Sequence, residues 1–442
     1  MRPSSSRSDP PTRGLFDGIL ARGRVHEATD DAAWLQAMLD FEAGLARAEA
    51  RLGLVPAAEA DAIVRACHPE SFSVAALRAL LDEPAASYVH FGATSQDMLD
   101  TAAMLVAWRA LALVLDDLAG AADAAALLAE RHRGAMMPAR TLLQHALPTT
   151  FGLEAAGWLG GLDAASATLS RVRSTRLAVQ FGGAAGTLAA LGSGGDAVVL
   201  VLAQELGLAA PTGPWHTERT RIGELAGALG VAAGAIGKVA LDIILLAQTE
   251  VAEVREGSPG RGRSSTLPHK RNPTAAIAAL AGARQAPGLV GTLLAVMPQE
   301  HQRGAGGWHA EWLALRDLLA ATGSAAAWLR DSLENLEVDV DRMRADVDIT
   351  RGAILAERIA LELSPSLGRS AAQQLVSNAG EEAGTKGLTL LEAVAARAEV
   401  HATLTPARLE ALADPAGYLG SADVFISAAL EAHARARTPA GR

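Results

Sequence analysis

Residues 262–273 read GRSSTLPHKRNP, a run of glycine, serine, proline and basic residues set between two long and mostly apolar segments. Glycine, serine and proline at this density break regular structure, so the run predicts a loop. Upstream, from about 218 to 254, apolar residues recur at helical spacing, and they do so again from about 274 to 297. The loop is rich in chemical groups. Ser264 and Ser265 supply two hydroxyls a few residues from the cation of Lys270 and the amide of Asn272. Backbone N–H groups in such a stretch can bind an anion. Pro268 and Pro273 stiffen the rear half. A loop so equipped can close over a carboxylate and exclude water, whereas the plainer reading is a solvated surface loop.

Working outward, the helical pattern dominates. Residues 29–52 carry it, with Thr29 and Asp30 as caps and Gly53 as a stop. A loop is expected over 83–97, after which Asp97 opens a long helix to about Arg133. Pro138 and Pro148 break the segment 134–148, and a further long helix follows from about 149 to 178. The glycine-rich stretch FGGAAGTLAALGSGGDA (181–197) reads as a loop with close packing. A phosphate cradle there is weak, because no GK[ST] follows. A long helix over 308–336 and shorter ones over 353–435 complete the chain. Several helices far exceed the usual length of about 11–12 residues. Their apolar character runs nearly all round, which points to self-association. Glu224, Lys238, Asp242, Glu250 and Glu253 interrupt the apolar stretch Ile222–Val254. A buried bundle helix is expected there rather than a membrane span.

Composition agrees with an all-α protein. Of 442 residues, 50% are hydrophobic and 20% charged, while aromatics are only 4%. Alanine and leucine favour helices, and β-branched runs are sparse. The length predicts two or three domains. A net charge of −10 without a basic face argues against nucleic-acid binding. The single cysteine, Cys67, excludes an internal disulfide and fits a reducing cytoplasm. The opening MRPSSSRSDPPTRG (1–14) lacks the apolar segment of a secretory signal and reads as a disordered tail. No His/Cys/Asp/Glu cluster has metal-ligand spacing, so neither metal nor cofactor is expected. The acidic pairs Asp116/Asp117 and Glu381/Glu382 read as solvated faces or caps.

The loop resembles the fumarase/aspartase signature GSSxMPxKxNP, with Arg263 in place of the first glycine and Leu267 in place of methionine. Two other segments resemble that family in order and spacing: VHFGATSQDMLDTA (89–102) and RTLLQHALPTTFG (140–152). The resemblance implies an all-α, three-domain subunit with a central long-helix bundle that tetramerises. Its boundaries would fall at 1–101, 102–349 and 350–442. It also implies active sites built from segments of different subunits, and a small-molecule polycarboxylate substrate. By the same resemblance, Ser264 (rather than Ser265) is the base that removes the proton α to a carboxylate. Lys270, Asn272 and neighbouring donors would stabilise the resulting dianion. His90, Thr94, Ser95, Arg140, Thr141, Gln144 and His269 are implied substrate contacts.

Lyases of this family usually place a histidine general acid where this chain has Leu142. An amine or alkoxide leaving group needs such help, worth typically ~10²–10⁴-fold. A carboxylate, with a pKa of about 4, does not. The missing acid therefore resembles the family's cycloisomerase branch, in which a substrate carboxylate closes a lactone on its own double bond. LFDGIL (15–20), PWHTERTRI (214–222) and GGWHAEWLAL (306–315) resemble that branch too, and the region PESFSVAALRALLD (69–82) lacks the HDV-type motif of adenylosuccinate lyases. If the segment around Leu142 is helical, His145 lies on the same face and could act as the acid instead. The alternatives are then a succinyl-amine lyase releasing fumarate, or a catalytically silent relative. His301 and His309 are weaker candidates, and His68, His132 and His216 read as surface or core residues.

Overall fold

The computed structural model describes residues 17–68, 74–257 and 261–437. The expected tail 1–14 and the start of PESFSVAALRALLD lie outside them. The fold is all-α, dominated by helices Asp31–Arg51, Ser95–Arg131, Phe151–Thr175, Thr220–Leu246, Thr274–Ala295 and Gly307–Glu334.

Local chemistry explains most boundaries. The Asp31–Arg51 helix is capped by Asp30, whose carboxylate accepts from Ala33 N at 2.9 Å. Thr29 does not share that role; its hydroxyl donates to Val25 O instead. Gly53 follows with φ +74°, a left-handed conformation that glycine adopts without penalty. The second long helix begins at Ser95, before Asp97, because the Asp97 carboxylate reaches back to accept from Thr94 N at 3.0 Å.

Two short antiparallel pairs were not evident from the sequence. Met136–Thr141 (β1) and Gln144–Thr150 (β2) form a hairpin with Arg140 opposite His145 and Thr141 opposite Gln144. The helix beginning at Thr220 ends at Leu246, short of the expected 254. The chain then lays Val254–Glu256 (β3) beside Leu336–Val338 (β4), with Val254 opposite Val338.

The chain divides into two compact units. The first comprises the described residues up to Ala121 with Ala164–Leu241 and Ala275–Asp331. Its core holds Leu111, Leu118, Leu225, Leu229, Leu318 and Leu329, all fully buried. The second comprises Ala122–Asp163, Asp242–Thr274 and the described residues from Ser332 onward. It includes a separate cluster around Leu363, Val376, Leu390, Val394 and Leu412. Among the described residues, three helices, Thr220–Leu246 among them, are long and apolar enough to cross a membrane by length and composition. Much of the apolar surface of Thr220–Leu246 is buried inside this chain, at Ile222, Leu225, Leu229, Ile236 and Ile243. Asp242 within it accepts from Trp158 Nε1 at 2.7 Å. Asp116 and Glu381 are exposed, as a solvated face requires, while Asp116 and Asp117 are ion-paired to Arg330 and Glu382 to Lys386 and Arg397.

Glu49 is fully buried in the first unit, and neither of its carboxyl oxygens has a hydrogen-bond partner. Burial, and then the charge of Glu42, pushes its pKa up from 4.5 to about 8. The folded protein therefore holds a proton that the unfolded chain releases above pH 4.5. The associated stabilisation is complete below that pH and is lost as pH rises towards 8, by about 1.4 kcal/mol per pH unit. Glu49→Gln should abolish this slope and melt above the wild type near pH 8, with a smaller difference near pH 5. Thermal denaturation across that range checks it, and an unchanged slope would refute it.

Candidate active site

The 262–273 loop folds back on itself. Arg263 and Arg271 form an antiparallel bridge, and Asn272 donates to Gly262 O from both its backbone N (2.8 Å) and its Nδ2 (3.1 Å). Gly262 has φ +71°, and a Cβ there would lie 2.3 Å from Asn272 O. Only glycine closes the loop this tightly. Ser264 Oγ accepts from Leu267 N at 3.1 Å and Thr266 N at 3.3 Å. Two N–H donors aimed at one hydroxyl oxygen favour its negatively charged form. The Ser265 hydroxyl has no such pair among the described residues. His269 and Lys270 are exposed. His269 and Asn272 line a cleft of about 670 Å³ together with Arg255, Arg263, Arg271 and Glu337.

The hairpin overturns the helical argument for His145. Leu142 and Leu143 form its two-residue turn, with φ +51° and +66°. Two positive φ values are normally met by Asn-Gly, because they crowd a Cβ. Leu142 is 98% exposed, at the tip. His145 sits on β2 opposite Arg140, so the two do not share a helix face. Burial, then the charge of Arg140, lowers the His145 pKa, against the opposing effect of Asp346. That disfavours the imidazolium a general acid requires.

Arg140 is engaged within the chain. Its two terminal nitrogens donate to the two oxygens of Glu253 at 2.8 and 2.9 Å, with Asp346 at 4.0 Å. Glu253 is fully buried. Burial raises its pKa, Arg140 opposes the rise and Asp346 adds to it. Thr141 and Gln144 are exposed beside the turn.

Thr94 and Ser95 stand at the start of the Ser95–Arg131 helix, over a buried polar network. Asp97 accepts from Thr94 N, Gly182 N (3.0 Å), Gly183 N (2.9 Å) and His216 Nε2 (2.7 Å). Two N–H groups of the glycine-rich stretch, those of Gly182 and Gly183, are thus spent on a carboxylate. Below it, Arg219 donates to both oxygens of Asp100 (2.8 and 3.0 Å) and of Glu311 (3.0 and 2.5 Å). Trp308 Nε1 also reaches Asp100 at 3.0 Å. His90 is half-buried, with Nδ1 2.6 Å from Glu42 Oε1. His309 packs against Trp308 and Trp312, and His301 is exposed.

Residues 70–288 match a family described as lyase, and residues 352–429 match one described as adenylosuccinate lyase C-terminus. A 3-carboxy-cis,cis-muconate cycloisomerase from Bradyrhizobium diazoefficiens is 45% identical, over 94% of this chain and 97% of its own. A nitrosuccinate lyase from Streptomyces davaonensis is 43% identical, over 94% of each chain. The crystal structure of 3-carboxy-cis,cis-muconate lactonizing enzyme from Pseudomonas putida superposes with a TM-score of 0.89. Its identity is 40%, over 96% of this chain and all of that one. The chain belongs to the fumarase/aspartase superfamily.

Within this superfamily subunit, sequence reasoning missed the groups that hold the candidate residues in place. Asp97 was read only as a helix start, and His216 as surface or core, whereas together they anchor Thr94. Glu253 and Asp346, the partners of Arg140, carried no motif. All four are found by long-range contacts rather than spacing. Replacing Arg140 by methionine strands the buried Glu253 charge, which typically costs about 3–5 kcal/mol. Arg140→Met should therefore lower the melting temperature by many degrees, and Arg140→Met/Glu253→Met should recover much of the loss; a stable single variant would contradict the clamp.

Proposed function

We propose that this chain is a cycloisomerase that converts 3-carboxy-cis,cis-muconate to 4-carboxymuconolactone, a step in the breakdown of protocatechuate through β-ketoadipate. Leu142 carries the proposal. The position of the usual histidine acid is an exposed leucine at a hairpin tip, and its nearest substitute, His145, is held towards its neutral form. The named function of relatives at up to 45% identity supports the same reading.

In the forward direction a substrate carboxylate oxygen attacks the double bond. The new C–O bond closes the ring, and the electron pair passes into an aci-carboxylate. Ser264 then delivers its proton to the α-carbon, and the two backbone donors on its oxygen hold the alkoxide left behind. Lys270 adds positive charge nearby, His269 is a further contact on the same loop, Asn272 closes the loop, and Ser265 is available as a second hydroxyl. His90, Thr94, Ser95, Arg140, Thr141 and Gln144 are the proposed binding and positioning residues. We further propose a cytoplasmic homotetramer with the three-domain division 1–101, 102–349 and 350–442. Exposed Val231, Ile277, Leu294 and Leu313 on its long helices support self-association, as does the strained apolar tip at Leu142–Leu143. The separate cluster between Ile359 and Leu412 supports the last boundary.

The adenylosuccinate lyase description covers only 352–429, a segment with none of the candidate residues. A second reading is favoured by the nitrosuccinate lyase relative. Nitrite, like a carboxylate, leaves without a proton donor, so the same acid-free site could serve an elimination.

Turnover assays decide between them. Wild type should consume 3-carboxy-cis,cis-muconate, Ser264→Ala should lose roughly 10²-fold or more, and His145→Ala should stay active. Nitrite or fumarate release without lactone formation would overturn the proposal.

A further inference from the structure

Arg303 lies in the loop between the Thr274–Ala295 and Gly307–Glu334 helices, within the first unit. It is half-buried. Its guanidinium donates to Thr94 Oγ1 at 3.2 Å, Ala184 O at 2.9 Å and Gly183 O at 3.4 Å. Every one of those acceptors is neutral. Among the described residues, no carboxylate lies within ion-pairing distance of it. The setting contrasts with Arg140 and Arg219, which are ion-paired with buried carboxylates. The carboxylate set behind the same turn, Asp97, is already committed to Thr94, Gly182, Gly183 and His216.

Withdrawing a cation from water without an anion is costly, so such groups are normally paired. Arg303 is only partly withdrawn from water, and its geometry is fixed by these three acceptors. The carbonyls of Gly183 and Ala184 come from the segment that Asp97 anchors, and Thr94 from the turn that Asp97 caps. A guanidinium has more N–H donors than these three acceptors use. The Nε–H and one Nη1 hydrogen remain, and either can donate a charge-assisted hydrogen bond to a carboxylate oxygen. We propose that Arg303 is a substrate-binding residue, oriented by Thr94 and the 183–184 carbonyls, that takes one carboxylate of the polycarboxylate substrate. The inference rests on a polycarboxylate substrate, as above, but not on which reaction that substrate undergoes.

Arg303→Gln and Arg303→Lys test it with two readouts. The first is turnover of 3-carboxy-cis,cis-muconate. Loss of a charge-assisted contact made equally in ground and transition states raises KM by roughly 10- to 100-fold and leaves kcat nearly unchanged. The lysine variant keeps the charge but loses the anchoring to Thr94 and the two carbonyls, and should fall between wild type and the glutamine variant. The second readout needs no turnover: propane-1,2,3-tricarboxylate should raise the melting temperature of wild type and fail to do so for Arg303→Gln. Tricarboxylate protection that depends on Arg303, in a protein without lactonising activity, would retain the inference and reject the proposed reaction. Unchanged KM and unchanged protection in a folded glutamine variant would overturn the inference. Should that variant not fold, an unchanged KM and unchanged protection in Arg303→Lys would overturn it equally.

Discussion

Asp97 is fully buried and accepts hydrogen bonds from three backbone amides and one imidazole. The donors come from three stretches of sequence, up to 119 residues away. A carboxylate enclosed in this way is stabilised only while all its partners stay in place. The turn bearing Thr94, the glycine-rich segment and the start of the Thr220–Leu246 helix therefore hold one another in register. Arg219 repeats the device lower down, with Asp100 and Glu311 as paired anions. Burial opposes the Arg219 charge, and its two carboxylate partners more than restore it.

Much of the all-α architecture was legible because long helices announce themselves by period and by end signals. Asp30 was readable as a cap because an acceptor side chain immediately before an apolar-periodic run has few other uses. The hairpin was not readable. Its turn is Leu142–Leu143, neither of which prefers positive φ, and its strands contain Pro138 and Pro148. Nothing local distinguished a strained turn from a broken helix. The overlong helix over 218–254 has a similar origin: hydropathy continues past Leu246, while the β3–β4 pairing that ends the helix depends on a strand 82 residues away.

The candidate site divides along the same line. Groups that meet a reacting molecule sit in short motifs, and so Ser264, Asn272 and Thr94 could be named from spacing and resemblance. Groups that hold those residues are scattered. Glu253 and Asp346 reach Arg140 from 113 and more residues away, and no periodicity connects them. The hairpin also altered the chemistry that could be inferred. Opposite strands place His145 beside a guanidinium and under partial burial, which selects a neutral ring; a helix would have left its charge open.

Gly182 carries a constraint of a different kind. A Cβ at that position would lie 2.8 Å from Cε1 of His216 and equally close to Pro214. The imidazole cannot withdraw without leaving Asp97 short of a donor, and Asp97 cannot be neutralised without releasing Gly183 and Thr94. These residues are thus one unit of inheritance. Drift at any single one is closed, and a descendant enzyme that altered this network would have to exchange the glycine, the histidine and the aspartate together.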